Sequence, residues 1–100
     1  MKVDIQEANG VYTAILTGWF DTNEATQFLS DIQPLFDHAD QQLVLDCGGL
    51  EYICSLGLRI LLRLNKESAA KNGHLQLTNM NGEIRKIFEM TGFVKLFDIH

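Results

Sequence analysis

Leu43-Val44-Leu45-Asp46-Cys47-Gly48-Gly49-Leu50-Glu51-Tyr52-Ile53-Cys54-Ser55-Leu56-Gly57-Leu58-Arg59-Ile60-Leu61-Leu62 decides the fold. Leu43 to Leu45 is a short apolar run, halted by Asp46 and the Gly48-Gly49 pair, as expected of a fully buried strand. From Leu58 the apolar residues recur at helical spacing, with Arg59, Arg63, Asn65 and Lys66 between them. The stretch predicts strand, loop, helix. Ser55 stands where the helix should begin. A serine there has a plain role: its oxygen accepts an early backbone N–H and caps the helix, typically worth about 1 kcal/mol. It also has a sharper one, because the positive end of a helix stabilises a phosphate.

The motif Tyr52-Ile53-Cys54-Ser55-Leu56-Gly57-Leu58 resembles the signature of STAS domains, and among them the stand-alone anti-sigma factor antagonists. In that family the pattern is aromatic, aliphatic, Asp or Ser, then Ser, a small residue, Gly and Leu. The family's phosphorylated serine falls at Ser55. Cys54 departs from the usual Asp, and Leu56 from the usual Ser, Thr or Ala. Leu16-Thr17-Gly18-Trp19-Phe20-Asp21 is similar to the family's Leu-x-Gly-x-x-Asp, and the aliphatic-Thr-Gly-aromatic run ending at Phe93 is similar to the end of its last helix. The resemblance covers about Val11 to Ile99.

Upstream, Val3 to Gln6 reads as a first strand, Asn9-Gly10 as a tight hairpin turn and Val11 to Thr17 as a second strand. Asp21 with Glu24 three residues on is a capping-box-like helix start. Ala25, Phe28, Leu29, Ile32, Leu35 and Phe36 line one face of that helix, which Pro34 should kink or shorten. Downstream, Lys71 suits the carbonyl end of the Ser55 helix and Gly73 is the expected left-handed terminator. His74 to Thr78 alternates as a fourth strand, Asn79 to Asn81 reads as turn and cap, and Ile84, Ile87, Phe88 and Thr91 define a last helix ending at Gly92. Phe93, Leu96, Phe97 and Ile99 then pack back as a terminal segment.

An antiparallel hairpin followed by strand–helix units predicts an α/β fold: one STAS-like domain over 1–100 with a small mixed, largely parallel sheet. The helices after the third and fourth strands would start at the sheet's carboxyl edge, where partner sites of such folds gather.

One hundred residues with a 46% hydrophobic fraction and one proline suit a single compact domain with a thin core. The net charge of -5, from 13 acidic and 8 basic residues, argues against nucleic acid and anionic membranes and is compatible with a basic protein partner. Met1-Lys2-Val3-Asp4 does not read as a secretory signal, and no apolar stretch approaches the ~20 residues that span a bilayer. A cytoplasmic setting is expected, with Cys47 and Cys54 as free thiols.

Catalytic patterns are missing. Ile53 replaces the first glycine of a Gly-x-Ser-x-Gly elbow, Gly48-Gly49 lacks the Lys-Ser/Thr of a phosphate loop, and His38, His74 and His100 show no partner pattern. The expectation is a non-enzymatic module with no cofactor and no metal. What the resemblance implies is a regulatory switch in bacterial transcription: the chain binds an anti-sigma factor with serine kinase activity, phosphorylation at Ser55 controls binding, and a serine phosphatase resets it. The partner-binding residues expected are Asp21, Thr22, Cys54, Leu56, Gly57 and Arg59. The rival is a STAS interaction or sensory module that is never phosphorylated, which Cys54 and Leu56 favour. A third class, a thiol redox sensor, rests on Cys54 at a helix N-terminus.

Overall fold

Turn chemistry at Asn9-Gly10 sets up the first hairpin in the computed structural model, which describes residues 1–100. β1 (Lys2–Ala8) and β2 (Val11–Phe20) pair antiparallel, with Val3 opposite Leu16 and Ile5 opposite Ala14. Asn9 (φ 53°) and Gly10 (φ 82°) supply the two positive φ angles of a turn whose twist matches its strands.

β3 (Gln42–Ile53) runs far past the expected Leu43–Leu45. Its register with β2 shifts between Ile15 and Thr17 and again between Gly18 and Trp19. Each shift is a bulge on β3, and two bulges together restore the inside–outside alternation. Asp46 and the glycine pair therefore bend the strand instead of ending it. Asp46 Oδ1 holds the first bend by accepting the Gly48 N–H at 3.0 Å and the Asn79 side-chain amide at 3.1 Å. Near the second, Asn81 donates to the Leu50 carbonyl at 2.9 Å.

β4 (His74–Thr78) and β5 (Asp98–Ile99) complete one five-stranded sheet in the order β1-β2-β3-β4-β5, parallel from β2 onward. The mixed, largely parallel α/β sheet expected from the sequence is what forms. Register places Ala14, Leu45 and Leu77 in one row, all fully buried. The adjacent row, Thr13, Val44 and Gln76, is only half-buried. The helices cover the first of these faces.

The helix expected across Ala25 to Phe36 is divided. A 3-10 turn at Thr22–Glu24 leads into α1 (Ala25–Asp31); the chain breaks at Ile32 (φ -92°, ψ 1°) and resumes as α2 (Gln33–Asp37). Pro34 sits in the first turn of α2, where its missing N–H leaves no bond unmade. α3 (Ser55–Ala70) and α4 (Gly82–Thr91) follow β3 and β4. Phe28, Ile32 and Leu35 from the first pair, Leu58, Leu61 and Leu64 from α3, and Ile84 and Phe88 from α4 join the strand residues in one apolar cluster of 23 buried side chains.

Gly73 is not the left-handed terminator of α3. Asn72 (φ 63°) takes that conformation. Gly73 is needed for a different reason: a Cβ there would lie 2.0 Å from the Ala39 carbonyl oxygen. At the end of α4, Gly92 (φ 79°) does end the helix, and Asn81 Oδ1 caps its start by accepting the Ile84 N–H at 2.9 Å.

Candidate functional site

Two chain segments are stitched together at the carboxyl edge of the sheet. The Cys54 N–H donates to the Phe20 carbonyl at 2.9 Å, joining the start of α3 to the end of β2. Asp21 and Ser55 each lie one residue beyond this pair, so the fold gathers at one edge the acid and the hydroxyl that lie 34 positions apart in the chain.

The helix cap differs from expectation. Cys54 is the capping residue, in extended conformation (φ -82°, ψ 169°), and its Sγ accepts the Gly57 N–H at 3.4 Å. Ser55 is the first residue of α3 and is exposed. Its side chain takes no part in capping, because the residue before it already fills that role.

The six expected partner-binding residues divide into two sets. Thr22, Leu56 and Arg59 are exposed and Asp21 is half-buried. Leu56 keeps 40% of its surface in solvent, unusual for a leucine on a first helical turn that packs against a core. Cys54 and Gly57 are buried and shape the turn instead of presenting side chains. A Cβ on Gly57 would fall 2.9 Å from Ile53 Cγ1 and 3.1 Å from the Phe20 ring, so the glycine lets α3 seat closely on the strand ends. Asp21 Oδ1 accepts the Asn23 N–H at 3.0 Å, capping the 3-10 turn. The reciprocal half of a capping box does not form. The Glu24 carboxylate lies instead 3.5 Å from the Met1 amino group.

Trp19 and Tyr52 belong to this edge and are not among the partner-binding residues expected from the sequence. They are register partners across β2 and β3, stacked with ring centroids 4.6 Å apart and 18° between planes. Trp19 is 55% exposed. Their immediate neighbours Phe20 and Ile53 are buried. The aromatic pair therefore stands on the face of the sheet turned away from the helices.

Other polar features lie elsewhere. Cys47, fully enclosed, has its thiol pushed up to about 12, by burial first and the neighbouring Asp46 carboxylate second. The histidines do have partners: His38 stacks on Tyr12 at 4.2 Å, while His74 and His100 reach Asp98 at 2.6 and 2.7 Å. The hydrogen bond from His74 leads the effects that hold the Asp98 carboxyl below its ordinary value. No three His, Cys, Asp or Glu side chains are grouped so as to hold a metal ion. A cavity of about 330 Å³ between α1–α2 and α3 is lined by Leu29, Gln33, Phe36, Arg63 and Glu67, none of them an expected site residue. No helix is long and apolar enough to cross a membrane.

A mixed sheet covered by helices, with an exposed serine opening the helix after its central strand, defines an α/β module whose distinctive surface is one sheet edge. The family model described as "Mlab, STAS domain" matches residues 4–98. The chain is 31% identical over 99 residues to the Bordetella bronchiseptica protein named as anti-sigma factor antagonist BtrV, covering 99% of this chain and 85% of that protein. It also shares its fold with the anti-sigma factor antagonist SpoIIAA. The unphosphorylated form matches at a TM-score of 0.80 and 19% identity, over 99% of this chain and 88% of SpoIIAA. The phosphorylated form, from Bacillus, matches at 0.72 and 18%, over 99% and 91%. The chain belongs to the STAS-domain family of anti-sigma factor antagonists.

Proposed function

We propose that this chain is a partner-switching regulator: with Ser55 unmodified it binds an anti-sigma factor that is also a serine kinase, phosphorylation of Ser55 releases that partner, and a serine phosphatase restores binding. Bacterial transcription is the process controlled, and the cytoplasm the place. The observation that carries this reading is the division of labour between Cys54 and Ser55. Cys54 caps α3, so the exposed Ser55 hydroxyl can be modified without uncapping the helix.

A phosphate adds nearly two negative charges and three acceptor oxygens. At the first residue of α3 it meets the positive end of a 16-residue helix, so the fold tolerates it. In a packed interface around Leu56 the same group must be desolvated, and the complex bears that cost. The domain stays folded while the complex dissociates. Half-buried Asp21 and exposed Arg59 are the polar residues of this edge that a kinase would recognise. The SpoIIAA fold known in phosphorylated and unphosphorylated forms accommodates such a change, which supports the reading.

Leu56 favours a second reading, in which the edge is a permanent docking surface and Ser55 is never modified. Incubation with ATP and the serine-kinase anti-sigma factor from the same genome, followed by intact mass and peptide mapping, separates the two. One added phosphate on Ser55, absent in Ser55→Ala, is the expected result. An unchanged mass with a kinase active on another substrate would leave the permanent docking surface.

A further inference from the structure

Trp19 is the only tryptophan of the chain, and it spends its aromatic surface unusually. One face is stacked on Tyr52 and more than half of the residue remains in solvent. The second β3 bulge sets this up: it puts Tyr52 opposite Trp19 and returns Ile53 to the core. Stacking restricts the indole before any partner arrives, so little side-chain freedom remains to be lost on binding. Tryptophans held this way are the residues on which protein interfaces concentrate their affinity.

The pair has acidic neighbours in the sequence. Asp21 follows Trp19 by two residues and exposed Glu51 immediately precedes Tyr52, on a chain of net charge -5. Lys2 is on β1 opposite Thr17, and Arg59 is on α3, in the layer that covers the other face of the sheet. Neither lies over the indole. The one cation resting on a ring is Arg63 over Phe36, 5.6 Å from its centroid. An exposed indole with acidic neighbours at Asp21 and Glu51 suits a partner's arginine or lysine, which gains from the ring and from that charge together.

We propose that Trp19, braced by Tyr52, is the anchor at which the protein partner of this edge lays an arginine or lysine side chain against the indole. This rests on the reading of Ser55 as the switch and assigns the two residues different tasks. Trp19 projects from the sheet face turned away from the helices, whereas Ser55 opens a helix of the covering layer. The anchor supplies affinity in either modification state, and the phosphate acts on the packed contact around Leu56. The losses caused by Trp19→Ala and by modified Ser55 should therefore add.

Replacing Trp19 by fluorotryptophan places a single fluorine signal at the anchor. The labelled chain is titrated with the serine-kinase anti-sigma factor from the same genome, and affinities are measured for Trp19→Ala, Trp19→Leu and Trp19→Phe. The fluorine signal should move on binding, Ala and Leu should weaken binding by about tenfold or more, and Phe should keep most of the affinity. If Ala fails to fold, the Leu and Phe variants and the signal of the parent decide. A partner that binds in a Ser55-dependent way while the fluorine signal stays fixed overturns the anchor and leaves the switch standing. Leu binding as well as the parent overturns the cationic partner group. If the unmodified parent binds no such partner, switch and anchor fall together.

Discussion

The sulfur of Cys54 accepts the N–H of Gly57 at 3.4 Å, and this bond frees Ser55 from any duty in holding its helix. A sulfur is a weak acceptor, so the cap contributes less than a serine or aspartate would. Ser55→Ala should then change stability by less than about 0.5 kcal/mol, since it alters an exposed first-turn residue and alanine suits a helix. Cys54→Ala should be the more damaging of the two. Urea midpoints of both variants check this; a larger loss for Ser55→Ala would show that the hydroxyl caps after all.

Gly57 is set by space. Its Cβ would meet Ile53 Cγ1 at 2.9 Å and the Phe20 ring at 3.1 Å. Gly57→Ala would normally stabilise a helix interior, but here α3 must lift from the strand ends. A net loss of about 1–3 kcal/mol is expected, with binding weakened because Ser55 and Leu56 move with the helix. Calorimetric unfolding of the variant decides between this loss and the gain that propensity alone predicts.

Asp98 links the last strand to pH. Its carboxyl is held below the ordinary 3.8, first by the hydrogen bond from His74. A depressed value in the folded state means that the contribution is complete above 3.8 and is lost as pH falls through the lower folded value. Asp98→Asn should lower the melting temperature at pH 5, and the gap to the parent should narrow as pH drops below that range. A gap that stays constant to the most acidic pH would remove the carboxylate from the account.

Cys47 behaves in the opposite sense. Its thiol is raised from 9.0 to about 12 by burial and by Asp46. Above pH 9.0 the unfolded chain sheds this proton while the folded chain keeps it, so stability declines as pH rises from there. In a Cys54→Ser variant, which leaves Cys47 as the only thiol, alkylation at neutral pH should proceed only as fast as the protein opens. Rapid labelling under native conditions would contradict the burial.

The order of elements was legible because each strand and helix carries its own local signal: the Asn9-Gly10 turn, the alternation of Leu75 and Leu77, the helical spacing after Leu58. The edge was legible only in part. Ser55, Asp21 and Leu56 stand out by motif and Arg59 by its place one turn after Ser55, but the cap at Cys54 depends on where the helix begins to within one residue. The Trp19–Tyr52 stack depends on a strand that continues through two glycines. Local propensity ends β3 at Asp46, while hydrogen bonds from Asn79 and Asn81, some 30 residues later, carry it on to Ile53. The interruption at Ile32 is similar, because apolar spacing continues through it and only Pro34 signals a break.

The affinity of the serine-kinase anti-sigma factor for three forms of the chain tests the central claim most directly. Unmodified protein and Ser55→Ala should bind alike and melt within a few degrees of one another, as the cap at Cys54 requires. Protein phosphorylated at Ser55 should keep its melting temperature and lose affinity by at least about tenfold, because a dianion must be desolvated in the contact. Equal affinity for the phosphorylated and unmodified forms, with the phosphate confirmed on Ser55, would contradict the switch.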